Sequence, residues 1–158
     1  MLAYRLKLLT FGVILVLLLG YLGSSLLERL SSPEDRIRAA LDHAIAEFND
    51  GDPRAAKIFS RDYRDEGGSD KEDVLDGLRW LLMFSGEKHR ADLREEQLVI
   101  DVAEDEAQAQ VAIGVAIWRE PGRDAPWWDL HAVLDFENRS GRWKVAASRD
   151  VNHHGRGR

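Results

Sequence analysis

The chain has 158 residues, room for one domain and a short extra segment. Hydrophobic residues make up 44% and charged residues 32%, which argues for a packed core and against disorder. The absence of cysteine excludes disulfides, thiolate nucleophiles and cysteine metal sites, and a net charge of −6 speaks against nucleic acid as a partner.

Arg5 and Lys7 precede an uncharged run of 20 residues that Leu8 opens and Leu27 closes. A helix of that length spans about 30 Å, the thickness of a bilayer's hydrocarbon. Residues 1–31 are therefore expected to form a membrane anchor and short linker. The rival reading is a signal peptide cleaved near Gly23 and Ser25, where no A-x-A pattern stands. Either way the basic N-terminus should stay in the cytoplasm while the rest crosses. The expected location is a bacterial inner membrane, single-pass, with the domain in the periplasm. All 28 acidic residues and 20 of the 22 basic ones lie from Glu28 onward, leaving −8 on that part. Such a surface repels anionic lipid heads, so the domain should hang from the membrane rather than lie on it.

Residues 32–152 read as one α+β domain. Ser32 can cap a helix with Pro33 at its first position and Asp35 completing a capping box. Ile37, Leu41, Ile45 and Phe48 then form one apolar stripe. The segment Asn49-Asp50-Gly51-Asp52-Pro53 stops that helix, and Pro53 starts a short second one through Ala56 and Phe59. Ser69 with Glu72 suggests a second capping box, opening a third helix whose buried face is Val74, Leu78, Leu81 and Leu82, with Gly86 as terminator.

Beyond His89 the period changes to two. Leu98, Ile100 and Val102 alternate with their neighbours, and after a turn at Glu104-Asp105-Glu106 so do Ala109, Val111, Ile113, Val115 and Ile117. A third apolar row is Trp128, Leu130, Ala132, Leu134 and Phe136. After a turn at residues 138–141, Trp143, Val145, Ala147 and Val151 supply the last. Helices first and four strands after predict an antiparallel meander covered on one face by three helices. Residues 153–158, rich in glycine and arginine, are expected to be a disordered tail.

This order, with "FNDGDPRAA" closing the first helix, "FSRDYRDEGGSDKEDVLDGL" entering the third and "GRWKVAASRDV" closing the sheet, resembles the NTF2-like superfamily over roughly residues 33–151. That superfamily includes ketosteroid isomerase, scytalone dehydratase and SnoaL-type cyclases. The resemblance implies a cone: a curved four-stranded antiparallel sheet around a pocket closed by the helices. It transfers no activity, because one fold hosts unrelated functions.

Within such a cone Arg149, sharing parity with Trp143 and Val145, is expected to point inward against Asp65 or a neighbouring acid. Its structural role would be an ion pair, its functional role an anion or carbonyl clamp. The position of Asp65 is similar to that of the proton-transferring aspartate in ketosteroid isomerase, and Tyr63 could polarise a developing oxyanion. In the isomerase that tyrosine comes from the first helix, whose inner face here offers only Ile37, Leu41, Ile45 and Phe48. Trp80 and Trp128 would complete the pocket wall. His131 beside Asp129 falls on the outer sheet face, and His153-His154 is a weak metal signal. No metal or cofactor is expected. Ala112, Gly114, Ala116 and Trp118, with Val99, Ala103, Val133 and Ala146, would form an outer-face patch suited to a homodimer or partner. The function expected is a non-catalytic small-molecule or protein-binding module of the envelope. The alternatives are a pocket enzyme of the isomerase, dehydratase or hydrolase kind using Asp65 and Tyr63, and a secretion-scaffold subunit.

Overall fold

Helix α1 (Pro33–Asn49) begins where two backbone donors are satisfied reciprocally. Ser32 Oγ accepts from Asp35 N at 3.1 Å, and the Asp35 carboxylate accepts from Ser32 N. The computed structural model describes residues 31–84, 88–120 and 126–155. The expected anchor at residues 8–27 lies outside them, and among the described residues no helix is long and apolar enough to cross a membrane.

Ile37, Leu41 and Phe48 of α1 are buried, with Ile45 packed beside them. A 3₁₀ segment (Pro53–Ile58), capped by Asp52, leads into β1 (Phe59–Asp65). Helix α2 (Lys71–Arg79) runs on into a π turn (Trp80–Phe84). Its cap is Asp70 with Asp73, not the expected Ser69 with Glu72. Ser69 lies one residue before the cap, and both its backbone groups bond Asp65. Then come β2 (Lys88–Leu93), a 3₁₀ turn (Glu95–Gln97), β3 (Val99–Val102), β4 (Gln108–Glu120), β5 (Trp128–Arg139) and β6 (Arg142–Gly155).

The sheet has six strands rather than four, in the order β1-β6-β5-β4-β2, with β3 also against β4. It is mixed, because β1 pairs parallel with β6 while all other pairings are antiparallel. β1 escaped the period-two reading because its register shifts between Phe59 and Arg64, so that Ser60 and Tyr63 are its buried residues. The four expected strands are β3 to β6. β5 and β6 join through a two-residue turn in which Ser140 and Gly141 both have positive φ, the twist a tight hairpin requires.

The core lies between the sheet's inner face and the helices. Phe136, Ile37, Val111 and Val145 are fully buried, and Trp143 and Tyr63 nearly so. Full burial of side chains this size contributes about 1.5–3 kcal/mol each.

Two irregularities in β6 correct the sequence-based parity. Asp135 faces Ala147 but Phe136 faces Val145, so Ala146 is an extra residue; a second shift falls between the pairs His131–Asn152 and Val133–Arg149. At the second, Asp150 takes a φ of 50°. An inserted residue flips every later side chain to the other face. Ser148 therefore turns inward and is buried, while Arg149 joins the outer face. Strand β6 also continues to Gly155, so residues 153–155 are paired strand rather than disordered tail.

The outer edge of β2 is closed by a side chain. Asn49, the last residue of α1, donates from Nδ2 to Ala91 O at 2.9 Å and accepts from Ala91 N at 2.6 Å. Its carboxamide thus stands in for a neighbouring strand. Asn49→Ala leaves both groups without this partner and is expected to cost about 1–3 kcal/mol. Urea unfolding with amide exchange at Ala91 measures it; an unchanged midpoint would remove the role assigned to Asn49.

Candidate functional site

The "YRDE" stretch distributes its four side chains to four different tasks. Tyr63 points inward from β1. Its hydroxyl lies 2.7 Å from Ser148 Oγ, and its ring meets Phe59 edge-on at 4.7 Å between centroids. Burial pushes the phenol above its ordinary pKa; the Ser148 hydrogen bond pulls it partly back, and the charge of Asp65 adds to the rise. Arg64 turns outward to Asp70 at 3.3 Å.

Asp65 holds the turn into α2. Its Oδ1 accepts from Ser69 N at 2.6 Å, its N–H donates to Ser69 O, and its carbonyl accepts from Gly68 N. Gly68 has a φ of 89°, a conformation that needs glycine. Glu66 ties this turn to the second irregularity of β6: its N–H donates to Ser148 O, and its carboxylate accepts from Asp150 N at 3.2 Å.

The residues expected to share a pocket are not brought together. Arg149 pairs with Asp135 at 3.2 Å on the outer face, not with Asp65, because the extra residue in β6 reverses its direction. Trp80 is 61% exposed at the end of α2, a correction to its placement in a pocket wall. Trp128 is half-buried and stacks on Trp127 at 4.5 Å with the rings 5° from parallel. Trp127 is the one that packs against the core, with the Arg119 guanidinium 3.7 Å above its ring and His89 at 5.2 Å.

The expected outer-face patch is divided. Gly114 and Ala116 are buried, Ala112 and Trp118 half-buried, and Val99 exposed. The Gln97 side chain lies over Gly114 where a Cβ would otherwise stand. Arg94 N donates to Gly114 O, and the Arg94 guanidinium grips Asp129 through Nε and Nη2, each at 3.2 Å. The chain thus covers this half of the face itself.

The other half of the outer face holds a recess of about 590 Å³ lined by Asp101, Ala103, Gln108, Gln110, Asp135, Glu137 and Ala146, with Ala109 and Phe136 at its floor. A smaller cleft of about 260 Å³ lies between β1 and the start of α2, lined by Arg61, Arg64, Lys71, Asp62, Asp70, Glu72 and Tyr63. Asp65, Trp80, Trp128 and Arg149 line neither of these two. Sequence reasoning missed Ser148, whose inward direction depends on the extra residue Ala146, between Val145 and Ala147, that no turn residue marks.

No protein-family model matches the sequence, and no curated protein does. Solved structures do match. An NTF2-like protein of unknown function from Shewanella oneidensis superposes with a TM-score of 0.59 at 16% identity, over 74% of this chain and 97% of its own. The protein Aln2 from a Streptomyces species gives 0.59 at 15%, over 75% and 90%. A protein named as a candidate scytalone dehydratase from Novosphingobium aromaticivorans gives 0.57 at 16%, over 77% and 83%. Identities this low establish the fold alone, and the fold is the NTF2-like α+β cone.

The raised phenol pKa links Tyr63 to stability. A folded-state value above the unfolded one, about 10, makes this contribution complete below pH ~10 and lost as pH rises through the folded value. Tyr63→Phe is therefore expected to flatten the fall in thermal midpoint at alkaline pH. Parallel curves for the two proteins would show that Tyr63 ionisation plays no part.

Proposed function

We propose that the chain is a membrane-tethered, extracytoplasmic NTF2-like module that binds a partner and does not transform a substrate. The observation that carries this reading is the position of open space. The recess of about 590 Å³ opens on the outer sheet face, whereas the inward side chains Phe136, Ile37, Val111 and Val145 pack one another. Within that interior the Tyr63 and Ser148 hydroxyls satisfy each other, and the Asp65 carboxylate is engaged by the backbone of its own turn. A general base needs a carboxylate directed at substrate, in reach of its proton.

The recess lining is mixed: the carboxylates Asp101, Asp135 and Glu137 and the carboxamides of Gln108 and Gln110 surround an apolar floor of Ala103, Ala109, Phe136 and Ala146. That chemistry suits a protein surface, either a second copy or an envelope protein. The tether reading rests on the uncharged residues 8–27 behind Arg5 and Lys7.

A second reading, a pocket enzyme of the isomerase, dehydratase or hydrolase kind, is favoured by one observation. The buried Tyr63–Ser148 pair adjoins the 260 Å³ cleft, and Arg61, Arg64 and Lys71 on its rim suit an anionic substrate. A small molecule co-purifying stoichiometrically with the full chain, and lost in Tyr63→Phe, would replace the binding-module reading with this one.

Two outcomes are expected. In sedimentation velocity the detergent-extracted full chain associates with rising concentration, and Ala146→Arg, which fills the recess, abolishes association; a wild-type monomer at every concentration removes the second-copy partner. In cell fractions the protein stays in the membrane pellet after alkaline carbonate, and its release into the supernatant counts against the tether.

A further inference from the structure

We propose that Lys57, Lys71, Arg142 and Lys144 form a binding site for a phosphate-type anion beside the first residues of β1 and β6. Two of the ammonium groups are held in place by the main chain. Lys71 Nζ donates to Phe59 O at 2.7 Å, and Lys144 Nζ donates to Lys57 O. Both side chains are half-buried, and the two accepting carbonyls belong to residues two apart in the chain. Lys57 itself supplies one of those carbonyls. Arg142 lies two residues before Lys144 on β6, and residues so spaced on a strand share a face. Each ammonium has three N–H donors and uses one on its carbonyl, which leaves two for a ligand.

Among the described residues none of these four cations pairs with a carboxylate, in a chain where 28 acidic residues outnumber 22 basic ones. The acids nearby are engaged elsewhere. Arg139 holds Glu137, opposite Lys144, at 2.7 Å; Arg64 holds Asp70 at 3.3 Å, and Arg54 holds Asp52 at 2.6 Å. Glu72 follows Lys71 on α2, where successive residues do not face one another. Burial, and then the charges of Lys71, Arg142 and Lys57, hold the Lys144 ammonium below its ordinary pKa, with Glu47 acting the other way. Like charges gathered in this way repel, and an anion seated among them relieves the repulsion. Lysine meets phosphate as a point charge, while the Arg142 fork matches two phosphate oxygens at once. Four cations favour a group with two or more negative charges, a phosphate monoester or pyrophosphate, over a lone carboxylate. None of the four lines the recess of about 590 Å³, so this site is separate from the partner surface.

Pyrophosphate titrated calorimetrically into the full chain at low ionic strength is expected to bind once per chain. Arg142→Gln and Lys144→Gln should each weaken binding about tenfold or more. Arg79→Gln removes the same charge from an exposed residue already paired with Asp76, and leaves binding unchanged. Arg142 is exposed, so its variant keeps the parent's far-ultraviolet circular dichroism. Pyrophosphate should raise the thermal midpoint of the parent more than that of Arg142→Gln. Glycerol phosphate, the water-soluble headgroup of phosphatidate, is the second probe. Binding tighter than that of pyrophosphate assigns the site to a lipid headgroup, and weaker binding assigns it to a free phosphate compound. Absence of saturable binding by either anion overturns the proposal. So does an Arg142→Gln variant that binds as the parent does, or an equal loss in Arg79→Gln, which would show diffuse attraction to charge.

Discussion

Strand β6 lies between a parallel neighbour, β1, and an antiparallel one, β5, and the rest of the domain is arranged around how it satisfies both. Its first stretch sends Trp143 and Val145 into the core. The extra residue at Ala146 then turns Ser148 inward to meet Tyr63, and a second irregularity at Asp150 re-aims the residues beyond it. Glu66 clasps that second irregularity from the turn that opens α2. The polar pair in the core and the ion pair of Arg149 with Asp135 outside both descend from the first of these insertions.

Local chemistry was legible in the sequence where it is local in space. The Ser32–Asp35 box, the stripe from Ile37 to Phe48, and the alternation through β4 and β5 each use neighbours within a few residues. The directions in β6 were not legible, since an alanine inserted between Val145 and Ala147 carries no propensity signal and acts only through pairing with β5. β1 was hidden for a related reason: its irregular pairing breaks the alternation by which strands are recognised. Of the candidate site, Tyr63 was expected to polarise a substrate oxygen in the pocket; the structure gives it Ser148 as its hydrogen-bond partner. Its true partner and the outward direction of Arg149 depended on contacts 85 and 14 residues away in sequence.

The buried side chains of the described core pack one another, and the recess of about 590 Å³ opens on the outer face. The fold is one that elsewhere hosts enzymes, and the distinction here is made by individual groups rather than by architecture. A carboxylate committed to the backbone of its own turn is a structural element, whatever its position in the chain order. The outer face, in contrast, is split between a half roofed by Arg94 and Gln97 and a half left open around Ala146.

Asn49 on the margin of β2 has its counterpart at the opposite border of the sheet, where Lys71 Nζ donates to Phe59 O at 2.7 Å and Ser69 O accepts from Asp65 N. At both margins some of the hydrogen-bonding groups that could recruit a foreign strand are thus already engaged. A molecule stoppered in this way resists growth into ribbons, even when many copies crowd together.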